Sequence, residues 1–247
     1  MTSAPALRPF GPTHLAILAA VPLLAWALAT LARRRPPLAR PIRLALALGI
    51  ALDTLGWTAY TFARGWARPP QGLPLELCDV ALAITAYALV TARPWALELA
   101  YFLGVAGSGM ALLTPDVGPG LGFAQFFASH GLVVSSVLFL AFAGELRPRP
   151  GAWWRAFLFV NVYAALVAVF DASIRTNYMY QREKPQAASL LDLFGPWPFY
   201  VLAAEPVALA LFFALDLPFR NKRGKPPGLT RARSRPAGPP RSSPTEA

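Results

Sequence analysis

Seven long apolar segments, separated by short polar stretches, limit this chain to one broad class of structure. They cover about residues 13–32, 42–63, 75–91, 95–113, 121–143, 153–170 and 196–217. An α-helix rises about 1.5 Å per residue, so about 20 apolar residues cross a hydrocarbon core of roughly 30 Å. The segments are too long for the alternating strands of a membrane barrel. The sequence therefore predicts an all-α, polytopic membrane protein with seven transmembrane helices, of which the third is short.

The composition agrees with this class. Only 14% of the 247 residues are charged, whereas a soluble domain carries about 25%. The net charge of +11 comes mostly from short loops and from residues 220–247, where Lys and Arg can face anionic lipid headgroups, so we expect no nucleic-acid partner. One cysteine and two histidines leave no disulfide or cysteine-based metal cluster. The sequence predicts neither a metal nor a cofactor.

The positions of the basic residues also predict the topology. Loops after segments 1, 3 and 5, together with residues 220–247, carry 17 of the 23 Lys and Arg residues. The positive-inside rule then puts the N-terminus outside and the C-terminus in the cytoplasm. We expect a single transmembrane domain over residues 1–219, followed by a disordered, basic cytoplasmic tail over residues 220–247.

A few polar residues interrupt the apolar segments. Asp53 lies at the centre of segment 2, and an intramembrane carboxylate marks a functional or interhelical site. His14 begins segment 1, His130 lies within segment 5, and Glu205 lies within segment 7. On the predicted topology most of these residues lie at mid-depth or in the outer half. This distribution favours a cavity that opens outward.

The stretch LPLELCDVA, at the start of segment 3, concentrates the reactive groups. Cys78 is the only cysteine, and Glu76 and Asp79 lie beside it. A thiolate attacks esters well, and a histidine such as His130 has the proton affinity to accept the thiol proton. The alternative is structural, because a lone membrane cysteine is often a small apolar filler and a lone histidine an interhelical hydrogen-bonder. The small residues of GVAGSGMA, 104–111, indicate close helix packing.

Several longer stretches are similar to a known family. They are LPLELCDVAL (73–82), YFLGVAGSGMALLTPD (101–116), FFASHG (126–131), NYMYQREKP (177–185) and SLLDLFGPWPFYVL (189–202). Together they resemble the YwaF family of bacterial seven-helix membrane proteins. Animal relatives of that family include a transmembrane acyltransferase that moves acyl chains between phospholipids. The resemblance implies an acyl-carrying cysteine at Cys78, a histidine partner at His130 and a location in the bacterial inner membrane. The family often has a histidine where this chain has Glu76.

The first hypothesis is therefore a membrane-embedded acyltransferase or transacylase that moves acyl chains between glycerolipids through a thioester on Cys78. Membrane phospholipids would be its partners, and the sequence sets no oligomeric state. The residues expected to support the site or bind substrate are Asp79, Asn177, Tyr178, Asp53 and His14. Asn177 and Tyr178 could instead fold the outer loop over the bundle.

Two further hypotheses remain, and a third is excluded. A transporter or a lipid-binding protein without chemistry would use Asp53 and Glu205 as its polar centre. A purely structural membrane protein would pair its buried carboxylates with polar neighbours. A retinal photoreceptor is excluded, because the lysines are Lys184, Lys222 and Lys225, and none lies in segment 7.

Overall fold

The computed structural model describes residues 8–115, 117, 118, 120–185 and 190–223, and these residues form a bundle of helices. In chain order the helices are α1 Pro12–Arg34, α2 Ala39–Ala63, α3 Leu77–Thr91, α4 Pro94–Leu113, α5 Leu121–Ala143, α6 Ala152–Ile174 and α7 Phe199–Arg223. No strand occurs among the described residues. The predicted all-α, multi-pass architecture is confirmed.

Six of the helices are long and apolar enough to cross a membrane, while α3 has only 15 residues. The orientation of the termini stays a prediction, as does the division at residue 219. The tail predicted to be disordered lies outside the described residues from position 224 onward.

Helices α4 and α5 form the centre of the bundle. In the apolar window of each, 56% of the residues are buried, against 11–22% in α1, α2, α6 and α7. The outer helices instead expose large apolar side chains, such as Leu23, Leu55, Leu166 and Leu202. Such a surface is stable in a hydrocarbon environment, so the outer helices face lipid.

Contacts between α2 and α5 show that these two helices run in opposite directions. Gly49 of α2 lies beside Leu132 of α5, and Arg43 of α2 pairs with Glu145 beyond the end of α5. We call the end of the bundle at which α2 ends and α5 begins the loop side. The opposite end, at which α1 ends and α2 begins, is the arginine side.

On the arginine side a buried carboxylate joins three parts of the chain. Glu98 of α4 is 3% exposed. It accepts hydrogen bonds from the backbone N, Nε and Nη2 of Arg149 at 2.8, 2.8 and 2.9 Å, and from Nη2 of Arg155 at 3.0 Å. Glu98 therefore fixes α4 to the α5–α6 loop and to the first turn of α6.

Replacing Glu98 with glutamine is expected to lower the melting temperature by roughly 5 °C, because two arginines and a backbone N–H lose a charged acceptor. Differential scanning fluorimetry of the purified protein measures this shift. The control is Glu145→Gln, which removes a single, more exposed ion pair with Arg43 and should cost less. An equal or smaller shift for Glu98→Gln than for the control would contradict the assigned role.

Candidate functional site

Two loops on the loop side fold back into the middle of the bundle. The hydroxyl of Tyr163, the central residue of α6, donates a hydrogen bond to the Leu75 carbonyl at 2.8 Å. Nε2 of Gln181 donates a hydrogen bond to the carbonyl of Ala164, the residue after Tyr163 on α6, at 3.0 Å. At 1.5 Å per residue, Tyr163 lies about 16 Å from the end of α6. Both loops therefore hold irregular backbone within side-chain reach of the middle of α6, and membrane proteins tolerate such backbone only inside protein or beside a cavity.

The contacts of these loops with α6 explain why α3 is short, and the expected position of Cys78 near the outer end of segment 3 stays a prediction. The sequence predicts that this cysteine lies near the outer membrane boundary. It lies in the first turn of α3, just after Leu75, whose carbonyl accepts the hydrogen bond from Tyr163. Residues 64–76 form the loop that joins the end of α2 to the start of α3.

Glu76 and Asp79 form the entrance to α3. The Glu76 side chain accepts from the backbone of Asp79, and Asp79 Oδ2 accepts from the Glu76 backbone N at 3.0 Å, which is a reciprocal capping box. Glu76 Oε2 also accepts from the backbone N of Met179 at 2.9 Å. Glu76 thus joins the two loops rather than acting beside the thiol as a base.

Tyr178 and Asn177 have the loop-folding role that the sequence left open. Tyr178 is 5% exposed; its hydroxyl donates to the Pro70 carbonyl at 2.6 Å and accepts from the Leu73 backbone N at 2.9 Å. Asn177 Oδ1 accepts from the backbone N of Arg182, and its Nδ2 donates to the Glu183 carbonyl. The polar atoms of both side chains are already used in the loops.

Replacing Tyr178 with phenylalanine is expected to loosen residues 66–76, because the amide of Leu73 loses its acceptor and the Pro70 carbonyl loses a donor. The expected cost is about 1–3 kcal/mol in the local opening free energy. Hydrogen–deuterium exchange of peptides covering Leu73 measures it. Tyr60→Phe is the control, since its hydroxyl makes no hydrogen bond to another described residue. Equal exchange in both variants would contradict the role of the Tyr178 hydroxyl in holding residues 66–76.

Cys78 lies on the face of α3 that turns into the bundle. The residues that follow it at helical spacing, Ala81, Leu82, Thr85 and Leu89, are all buried. Cys78 itself is half-buried and is a free cysteine. Its thiol makes no hydrogen bond with any described residue. The thiol therefore has an interior position without a competing polar partner.

His130 is held in one tautomer by its own helix. Its Nδ1 lies 2.7 Å from the Phe126 carbonyl oxygen, and its ring stacks on Phe126 with centroids 4.3 Å apart. Because a carbonyl only accepts, Nδ1 carries the proton and the lone pair of the neutral ring is at Nε2. This is the arrangement that a general base requires. No hydrogen bond joins His130 to Cys78 in the described part of the chain.

The register of the helices nevertheless puts these two residues in one layer. Cys78 and Gly107 lie equally far along the chain from the tight turn between α3 and α4, so the two residues lie at the same level of the bundle. A Cβ on Gly104 would lie 3.0 Å from Val133 and 3.2 Å from Val137, which marks the face of α5 towards α4. His130 precedes Val133 by one turn on that face, and so lies at the level of Gly107 and Ser108. We call Asp53, Cys78, Ser108 and His130 the polar layer.

Ser108 is a site candidate that the sequence reasoning missed. The segment Gly104–Ser108 is a π-helical turn, a feature that often marks functional sites. Ser108 is buried, and its hydroxyl has no partner among the described residues. Close packing was predicted for GVAGSGMA, and Gly104 shows it, but nothing lies within 4 Å of a Cβ at Gly107 or Gly109. A lone serine within a run of small residues was the available signal.

His14 is placed in a structural role. It is fully buried; its Nδ1 accepts from the Phe10 backbone N at 2.8 Å, and its Nε2 lies 2.7 Å from the Leu112 carbonyl oxygen. Both ring nitrogens are occupied, so His14 connects the start of α1 to the end of α4.

Two grooves flank α2 near the polar layer. One, of about 470 Å³, lies between α2 and α3 and is mostly apolar, with Thr54 and Asp79 as its polar members. The other, of about 390 Å³, lies between α2 and α5 and contains Asp53 and Gln125. Among the described residues, no group of three His, Cys, Asp or Glu is arranged to hold a metal ion.

Comparison with known proteins identifies the family. The model of the TMEM164 family matches residues 9–216, which cover the whole helical bundle apart from the last turns of α7. No curated protein and no solved structure matches the chain. This multi-pass membrane protein belongs to the TMEM164 family.

Proposed function

We propose that the protein is a membrane-embedded acyltransferase that moves a fatty acyl chain from one glycerolipid to another through a thioester on Cys78. The observation that carries the proposal is the fixed tautomer of His130, whose free Nε2 lies in the same layer as the interior thiol of Cys78. The resemblance to YwaF-like proteins and their acyltransferase relatives supports it. We also propose a bacterial inner membrane location with the loop side outward, as the Lys and Arg distribution predicts.

In the first half-reaction, Sγ of Cys78 attacks the carbonyl carbon of a glycerolipid ester. The thiol proton passes to Nε2 of His130. As the tetrahedral intermediate collapses, the carbon–oxygen bond to glycerol breaks, and Nε2 returns the proton to the leaving oxygen. The products are a lysolipid and an acyl thioester on Cys78.

In the second half-reaction, the hydroxyl of an acceptor lysolipid attacks the thioester carbonyl and gives its proton to Nε2. The carbon–sulfur bond breaks, and the thiolate recovers the proton. Because Asn177 and Tyr178 already bond to the loops, we assign oxyanion stabilisation to the unpartnered hydroxyl of Ser108. The reaction needs no cofactor.

The groove between α2 and α3 is suited to the acyl chain. It is lined by apolar residues such as Ile50, Leu55, Leu82 and Ile84. It lies beside the first turns of α3. Leu55, at the edge of the groove, has 67% of its surface exposed and lies on the lipid-facing side of the bundle. A chain from the bilayer can therefore enter sideways and place its ester near the α3 entrance.

The test uses the purified protein in nanodiscs that contain a phospholipid with isotopically labelled acyl chains and an unlabelled lysolipid with a different headgroup. Mass spectrometry should detect labelled chains on the second headgroup with wild-type protein and not with Cys78→Ala. If no transfer occurs, but lipid movement or binding depends on Asp53 and ignores Cys78, the transporter or binding-protein alternative replaces the proposal.

A further inference from the structure

The groove between α2 and α5 contains a carboxylate without a countercharge. Asp53 lies near the middle of α2, and its Oδ2 is buried without a hydrogen-bond partner among the described residues. Gln125 of α5 lines the groove together with Asp53. The buried acids Glu98 and Asp216 differ, since each lies within 3.5 Å of an arginine, while the buried Asp171 accepts a hydrogen bond from Thr176. No Lys, Arg or His of the described residues forms an ion pair with Asp53.

Aromatic rings line the same groove towards the loop side. Trp57 and Tyr60 follow Asp53 on α2, and their rings stack with centroids 5.7 Å apart at 25°. Small residues on both helices, Gly56, Ala124 and Ala128, leave the volume of about 390 Å³ open. A carboxylate beside aromatic rings is complementary to an organic ammonium group, which the negative ring faces attract.

We propose that this groove binds an organic ammonium group, with Asp53 as its countercharge and Trp57 and Tyr60 as its aromatic wall. A metal ion does not fit, because one carboxylate and two rings supply too few oxygen ligands. The groove is separate from the proposed catalytic pair, since His130 lies about 160° around α5 from Ala128. Ammonium binding in this groove therefore does not depend on acyl transfer.

The experiment measures binding without turnover. The full chain is placed in nanodiscs of uncharged galactolipid, which contains no ammonium group. Two probes are titrated: dodecyltrimethylammonium, which enters the bilayer, and tetramethylammonium, which stays in water. The uncharged isostere of the first probe, with a tert-butyl group in place of trimethylammonium, is the ligand control. Native mass spectrometry or equilibrium dialysis gives the dissociation constants.

We expect Asp53→Asn to weaken ammonium binding at least about 10-fold and Trp57→Leu to weaken it roughly 5- to 10-fold. Ala128→Phe, which fills the groove without changing charge, should abolish binding. The control Glu183→Gln removes an acid elsewhere and should bind like wild type. Tight binding of only the bilayer probe would assign the site to a lipid headgroup or another amphiphile, and tight binding of both would assign it to amines in general.

Equal binding of the ammonium probe and its uncharged isostere would overturn the proposal. So would unchanged binding in both Asp53→Asn and Ala128→Phe. Because Ala128→Phe leaves the carboxylate in place and Asp53→Asn preserves side-chain shape, a folding defect in one variant still leaves the other to decide.

Discussion

Replacing Cys78 with alanine is expected to reduce acyl transfer by roughly 10⁴-fold or more, because the covalent step loses its nucleophile. The Cys78→Ser variant should also transfer acyl chains several orders of magnitude more slowly, since a hydroxyl is a far weaker nucleophile than a thiolate. Both substitutions are small, so the free energy of unfolding should change by only about 1 kcal/mol. The measurement is labelled-chain transfer between two headgroups in nanodiscs, normalised to folded protein.

Thr85→Ala is the matched control for this result. Thr85 lies two turns further along the same buried face of α3, and its substitution also removes one small polar group. Transfer should stay within a few-fold of wild type. If Cys78→Ala transfers acyl chains at the wild-type rate, the thioester mechanism is wrong.

Replacing His130 with alanine or glutamine is expected to lower the transfer rate by about 10²- to 10⁴-fold, the usual contribution of a positioned acid–base group. The loss should appear in kcat, because both half-reactions pass a proton through Nε2. The two histidines of the chain offer a direct comparison. His14→Gln disturbs backbone contacts at Phe10 and Leu112, so it should reduce thermal stability and leave kcat per folded molecule near wild type.

The opposite pattern would remove His130 from the mechanism. If His130→Gln keeps its kcat while His14→Gln loses it, the proton acceptor must be sought near the start of α1. The chemical difference between the two rings makes the comparison informative. Both ring nitrogens of His14 are bound to backbone groups. In His130 it is Nδ1 that bonds to the Phe126 carbonyl, so Nε2 remains available.

The helices themselves were predictable from hydropathy, because an apolar run long enough to span a membrane has few alternatives to a helix. Segment 5 was predicted at 121–143, and α5 covers Leu121–Ala143. Segment 6 continues four residues beyond the predicted 170, to Ile174, and its last turn contains the buried Asp171, which accepts a hydrogen bond from Thr176. In a sequence, a charged residue near the end of an apolar segment indicates the end of the helix. Here the burial of Asp171 and its hydrogen bond with Thr176 allow the helix to continue.

The depth of α3 could not be read from the sequence. Hydropathy gives the length of a helix and not its position along the membrane normal. That position depends on contacts such as Tyr163 with Leu75, which join residues 88 positions apart. The same holds for Glu76 and Tyr178, whose partners lie more than 100 positions away. The residue types indicated a site at LPLELCDVA. Which of these residues hold the loops together and which remain available for chemistry could be seen only in the fold.

The most direct test of the central claim is to isolate the acyl intermediate. Wild-type protein is incubated in nanodiscs with the labelled phospholipid and no acceptor, quenched in acid, digested, and analysed by mass spectrometry. The thioester mechanism predicts a labelled acyl group on the peptide that contains Cys78, released by neutral hydroxylamine and transferred to lysolipid when acceptor is added. Protein that transfers acyl chains but carries no such label on Cys78 at any time of quenching would contradict it.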